Sequence, residues 1–351
     1  MRSPALRHVL THLITPLLMC LGMGLAYMGA FVHPEPNHMP VAVVGAGPEA
    51  KVLAQTIKDA AGDKLDVRTV PTRAAAVDLL RSRTVTGAYV PSAKAPELIV
   101  AVAASDTGAT AVGQVFTPLA AKEGVALRVT DVAEPVADDP TGQGLFFLLI
   151  AVSIGSYASV AALGAAGAAL PMRIRALLAL GVSAVVSGIG AFLAGPVFHL
   201  AHHDLAGVWG MAWLYSAGIL LIGVGLHTFL KRWTTLTMMV LFVMLNFTSS
   251  GGLFRPELQN GFFGTLHAFW NGAGFVEGVR SLLYFGSDGL GRDVGTLAVW
   301  LLAGLAVTGI AAAHERSKAA PADAVAVPES PAGPTGEVAE AEEEAEETVG
   351  V

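Results

Sequence analysis

The chain has 351 residues, 53% of them hydrophobic and only 14% charged, with a mean hydropathy of +0.59. Soluble domains carry about a quarter charged residues, so a soluble globular class is excluded and a polytopic α-helical membrane protein is expected. The net charge of −7 is local, because residues 319–351 hold nine acids and no Lys or Arg, leaving +2 on residues 1–318.

The first apolar run, Val9–Val32, is long enough to cross a bilayer core of about 30 Å, which takes about 20 residues of helix. The single cysteine, Cys20, lies inside it, so no disulfide forms within the chain and the redox compartment cannot be read from it. "LLMC" invites a lipoprotein reading, but Met19 is not the small residue that such cleavage needs. A cleaved signal peptide ending near Ala30 is the weaker rival of an uncleaved anchor.

Residues 33–143 alternate between strand and helix patterns. "VAVVG", "LDVRTV", "VTGAYV", "ELIVAVA" and "VALRVTDV" read as strands; Glu49–Ala61, Arg73–Arg83 and Ala109–Glu123 read as helices. The order predicts a small α/β domain. Gly45-x-Gly47-x-x-Ala50 sits between a strand and a helix, the setting of a dinucleotide fingerprint. The second strand, however, ends at Val70–Pro71 without an acid placed for a ribose, so a glycine turn before a capped helix is the expectation.

Five more runs follow: Gly144–Leu170, Ala176–Phe198, Trp209–Leu230, Thr234–Thr248 and Val294–Ala313. The fifth of the six is short unless it extends into Ser249 and Gly251. Arg2 and Arg7, Arg173 and Arg175, Lys231 and Arg232, and Arg316 and Lys318 all fall on one side of six crossings. The positive-inside rule makes that side the cytoplasm of a bacterial plasma membrane, with residues 33–143 outside. Expected, then, are a cytoplasmic amino terminus and first helix (1–32), an inserted extracytoplasmic α/β domain (33–143) and a five-helix domain (144–313). An acidic, Pro- and Ala-rich tail (314–351), whose glutamates cannot bury surface, is expected to be disordered and cytoplasmic.

"HLAHHD" between the third and fourth runs offers His199, His202, His203 and Asp204 as weak metal candidates; interfacial histidines on a short connection explain them as well. Gly155/Ser159 and Gly164/Ala168 place small residues one turn apart, as at close helix contacts. His12 and His227 lie in or beside apolar runs, near cytoplasmic ends, and read as structural. No P-loop, no catalytic constellation and no cofactor motif is expected, and nucleic acid is not an expected partner.

Between Ser249 and Arg292 lie 44 residues, enough for two short helices to dip into the membrane and return, a re-entrant hairpin. Phe262, Phe263, Phe269 and Trp270 are expected at the outer interface. Glu277 and Arg280 are spaced to pair on one helical face, either as part of a site or as an ordinary exposed ion pair.

The order of parts and three stretches resemble a family. "VTGAYVPS", "DPTGQGLFFLLIAVSIGSY" and "SSGGLFRPELQNGFFGTLHAFWNGAGFVEGVRSLLYFG" resemble type-2 ABC exporter permeases, in the branch of phage-infection-protein-like and drug-resistance membrane proteins. Ser250, Gly251, Gly252, Pro256, Glu277 and Arg280 match the family pattern position by position; Asn260 and Asn271 stand where it usually has prolines. The resemblance implies a permease subunit that exports a hydrophobic or amphipathic substrate, working as a homodimer or hetero-oligomer with a separate ATPase chain. The alternative is a non-transporting envelope protein whose outer domain binds partners, which the short cytoplasmic connection Pro171–Arg175 favours.

Overall fold

The computed structural model describes residues 4–122 and 124–319. A helix α1 (Pro4–Phe31) leads into five strands: β1 (Met39–Val44), β2 (Leu65–Val70), β3 (Gly87–Val90), β4 (Glu97–Val100) and β5 (Arg128–Asp131). They form one sheet in the order β2-β1-β3-β4-β5. Helices α2 (Pro48–Ala61) and α3 (Arg73–Arg81) are the crossovers that let β1 lie parallel to β2 and β3. The short link from β3 to β4 makes that pair antiparallel, and α4 (Asp106–Lys122) returns β5 parallel to β4.

Alternation along β1 sends Val41 and Val43 to one face and Ala42 and Val44 to the other. The first face is covered by Ala54 and Ile57 of α2 and by Val112 and Phe116 of α4. Ala76 and Leu80 of α3 cover the second. The predicted strands and helices are all present, but Arg83 lies beyond the end of α3 in a left-handed turn (φ 58°). Gly45 has φ 152°, and a Cβ there would stand 2.5 Å from that of Ala50, so this glycine is a packed turn into α2.

Among the described residues, five segments are long and apolar enough to cross a membrane: Val9–Phe31, Gly144–Ala166, Met172–Val197, Leu205–Ser249 and Leu290–Lys318. The chain is a membrane protein on that physical ground. The fourth segment is not one rod. Helix α7 (Leu205–Leu230) stops at a tight turn, Lys231–Trp233, in which Lys231 has φ 47°. A second arm follows as α8 (Thr234–Met239), a π turn (Val240–Met244) and α9 (Leu245–Ser249). Asn246 Nδ2 donates to the Tyr215 hydroxyl across 31 positions of chain, which a straight helix would hold about 46 Å apart. The segment is therefore a helical hairpin.

Helices α5 (Gly144–Ala166), α6 (Met172–Phe192) and α12 (Leu290–Ala319) pack around α7. A Cβ on Gly225 would lie 2.9 Å from the Thr308 backbone nitrogen, which shows how closely α7 and α12 approach through small residues. Gly155 admits Val186 and Gly164 admits His227 in the same way. His227 also bonds Thr234 at 3.2 Å, so it braces the turn between the hairpin arms. Helix α1 stands at the rim, with Leu17, Leu21, Leu25 and Met28 exposed and Gly22 against Met244; the side chain of His12 lies outside the described residues.

Asp139 accepts the N–H groups of Gln143 and Gly144 at 3.1 and 2.8 Å, placing a carboxylate at the positive end of α5. That end of the bundle, next to the sheet, is called the sheet end below. Two expectations change at the far end. Arg175 is no free basic flank of a loop, because α6 begins at Met172. Its guanidinium is buried, donating to Leu170 O at 3.1 Å and to Glu315. The last helix runs on to Ala319, so the tail cannot start at residue 314; residues 320–351 lie outside the described residues.

Candidate functional site

Past α9 the backbone turns at Gly251, whose φ is 72°. A side chain there would meet His267 Cε1 at 2.6 Å, so the position needs glycine for conformation and for space. Ser250 Oγ accepts from the Gly252 N–H at 3.1 Å. Pro256 then opens a 3₁₀ turn, Pro256–Leu258, and Leu258 is buried on the α2/α4 face of the sheet.

Two short helices follow, α10 (Gly261–His267) and α11 (Asn271–Tyr284). Asn260 caps α10, accepting from the N–H groups of Phe262 and Phe263 at 3.1 and 3.3 Å. Its Nδ2 donates to Gly29 O at 3.0 Å, which ties the end of α1 to the hairpin. A proline here could do neither. After α11, Phe285 enters the opposite face of the sheet. Residues 251–289 thus straddle the sheet, filling part of both its cores.

The four aromatics divide. Phe262 and Phe269 are exposed, whereas Phe263 (5%) and Trp270 (8%) are buried, with Trp270 Nε1 donating to Leu241 O at 3.1 Å. A shared interfacial role for all four does not hold, because Phe263 and Trp270 are drawn into a cluster with Ala30 of α1.

Glu277 and Arg280 do pair, but not at an exposed surface. Arg280 is 3% exposed, and its Nη2 reaches Gly251 O at 3.4 Å. From the turn after α3, Arg83 Nη1 donates to Glu277 Oε2 at 2.7 Å and Nη2 to Ser281 Oγ at 2.5 Å. Its guanidinium lies over the Phe285 ring, 5.3 Å from the centroid. Burial alone would raise the Glu277 carboxyl, but the guanidiniums of Arg280 and Arg83 overcome it and hold the group at about 2.

Arg255 forms a bidentate pair with Glu257, both contacts at 3.1 Å. Burial pushes His267 below its ordinary value, and its Nδ1, 2.9 Å from Ser249 O, carries the proton because a carbonyl only accepts. These groups line a cavity of about 320 Å³ between the sheet, the α10–α11 hairpin and the start of α12. Arg292 and Asp293 of α12 complete the wall. Asp293 is buried and its Oδ2 has no hydrogen-bond partner.

Deeper in the bundle, a polar line runs from Ser153 Oγ to the Tyr215 hydroxyl (2.5 Å) and on to Asn246. Asn246 Oδ1 and both amide atoms of Asn271, at the start of α11, are buried without partners. Such groups are costly in an apolar interior.

The structure thus brings together Ser250, Gly251, Gly252, Pro256, Glu277 and Arg280. It leaves His199, His202, His203 and Asp204 as exposed neighbours on a turn. His199 and His202 stack with ring centroids 6.3 Å apart, His203 is 3.9 Å from Asp204, and among the described residues no three His, Cys, Asp or Glu side chains converge on a metal position. The residues that sequence reasoning missed are Arg83, Arg255, Glu257, His267, Arg292 and Asp293. Asp293, a carboxylate at the head of an apolar run, was the one legible signal among them.

No protein-family model, no curated protein and no solved structure matches the chain.

Proposed function

We propose that this chain is a permease-like subunit of a bacterial plasma membrane, exporting a hydrophobic or amphipathic substrate together with a separate ATPase chain. The observation that carries the reading is α11. Its 14 residues extend about 21 Å, short of a hydrocarbon core of about 30 Å. It is nevertheless buried along its length among the apolar helices, with the unpartnered Asn271 amide at one end and the Arg83–Glu277–Arg280 cluster toward the other. Broken helices with polar groups inside a bundle are how many transporters build their substrate sites.

Six crossings follow from the same geometry if each arm of the α7–α9 hairpin spans. The far end then carries Arg173, Lys231, Arg232, Arg316 and Lys318 and faces the cytoplasm by the positive-inside rule. Both termini are cytoplasmic and the sheet is outside. The exposed apolar rim of α1 is the surface that a second copy or another membrane subunit would cover.

A second reading, a non-transporting protein whose outer sheet binds partners, is favoured by the short far-end connections. Among the described residues, only 167–171 and the Lys231–Trp233 turn form connections there for an ATPase to grip. Affinity capture of the tagged full chain, with export measured in a deletion strain, separates the two. Transport predicts that a P-loop ATPase co-purifies and that deletion abolishes a nucleotide-dependent export. Absence of both, with a partner still retained after residues 253–260 are scrambled, would replace it with the binding reading.

A further inference from the structure

Most charges around the cavity satisfy one another. Arg255 is taken up by Glu257, and Arg83 and Arg280 share Glu277. Two groups, adjacent on the first turn of α12, are left over. Asp293 is 8% exposed with Oδ2 unpartnered, while Arg292, exposed at the mouth, makes no side-chain hydrogen bond or ion pair among the described residues. A buried carboxylate oxygen without a donor is unfavourable for folding; a ligand that brings a donor relieves it.

The mouth opens beside surface that is apolar. Phe269 follows Ala268 of the cavity wall, and Val299 lies one turn beyond Thr296 of the same wall; both are exposed. Leu302 extends that strip along α12. An amphiphile with its chains on this strip places its headgroup in the cavity, whose volume of about 320 Å³ suits a small group.

We propose that the cavity binds a zwitterionic headgroup with a primary ammonium beside a phosphate, as in a phosphoethanolamine ester. The ammonium sits on Asp293 and the phosphate on Arg292. A primary ammonium supplies N–H donors for the carboxylate, which a quaternary ammonium cannot, and a guanidinium matches phosphate geometry. The same chemistry occurs in a membrane lipid and in the free ester. The inference rests on reading the cavity as the substrate site, but it concerns binding, not movement.

The test uses the purified full chain in detergent, offered equimolar phosphatidylethanolamine, phosphatidylcholine and phosphatidylglycerol, with retained lipid counted by native mass spectrometry. Phosphatidylethanolamine is expected to be retained roughly tenfold over each of the others, the factor that one good charge-assisted hydrogen bond supplies. Asp293→Asn should abolish the preference over phosphatidylcholine. Arg292→Gln, at an exposed position and so folding normally, should weaken phosphatidylethanolamine binding; it carries the test if the Asp293 variant does not fold. Free phosphoethanolamine, titrated as competitor, displaces the lipid if the headgroup alone suffices; retention without displacement assigns the site to the intact lipid. Equal retention of the three lipids, or a preference unchanged in both variants, overturns the proposal. Selective binding without nucleotide-dependent export would keep this site and remove the transport reading.

Discussion

Arg83 and Arg280 reach the Glu277 carboxylate from two different parts of the molecule, one from the turn after α3 and one from α11 itself. Removing the carboxylate leaves two largely buried guanidiniums facing each other, and loss of one partner of a buried pair costs about 3–5 kcal/mol. Glu277→Gln is therefore expected to lower stability by about 3 kcal/mol at neutral pH, as read from chemical or thermal unfolding in detergent. The sign with pH follows from a carboxyl held at about 2, against about 4.3 in an unfolded chain. A depressed value contributes stability that is complete above the unfolded pKa and is lost as pH falls through the folded one. The gap between wild type and variant should thus be flat above about pH 4.3 and close toward pH 2. Glu97, held at about 2 by its hydrogen bond from Arg73 despite burial, titrates in both proteins and cancels in that difference. Gly251→Ala tests the turn: a left-handed backbone plus a Cβ 2.6 Å from His267 predicts a loss of about 1–3 kcal/mol, whereas an unchanged melting temperature would show that the turn relaxes freely.

At the scale of elements, the segment that the sequence predicts as a re-entrant hairpin holds two short helices, α10 and α11. It joins bundle to sheet, with Leu258 and Phe285 in the two sheet cores. Cysteines placed at 262 and 263 in a Cys20→Ser background should separate cleanly. Position 262 is 60% exposed and position 263 only 5%, so a bulky maleimide should label the first and spare the second; equal labelling would mean that α10 is not seated. Apolar run length and alternation made the helices and strands readable, because burial in lipid or between layers forces those periods. The pairing of Glu277 with Arg280 was readable from helical spacing. Arg83 was not, since its partner lies 194 positions away and nothing local marks a residue that bonds at that range. Arg255 and Glu257 were hidden for another reason, as a pair two apart is not a helical neighbour and needs the 3₁₀ turn at Pro256 to meet.

For the whole molecule, the arrangement of arms makes a prediction about sidedness. In a Cys20→Ser background, a cysteine at the exposed Ser92 should react with an impermeant reagent in intact cells, and one at Arg232 only after permeabilisation. The reverse pattern would invert the topology, and reaction of both in intact cells would remove one crossing.

The strap that straddles the sheet also sets a timetable for synthesis. The strands are made early, but the residues that complete both their cores and neutralise Arg83 come about 200 positions later. At about 5–20 residues per second, translation delays them by roughly 10–40 s. If the sheet lies outside, as proposed, it stands for that interval with two open apolar patches and an unanswered guanidinium, while most of the bundle is still being threaded into the bilayer. On that topology, chaperones and proteases outside the membrane meet the nascent protein in that window, and the survival of the sheet depends on the last third of the chain being delivered on time.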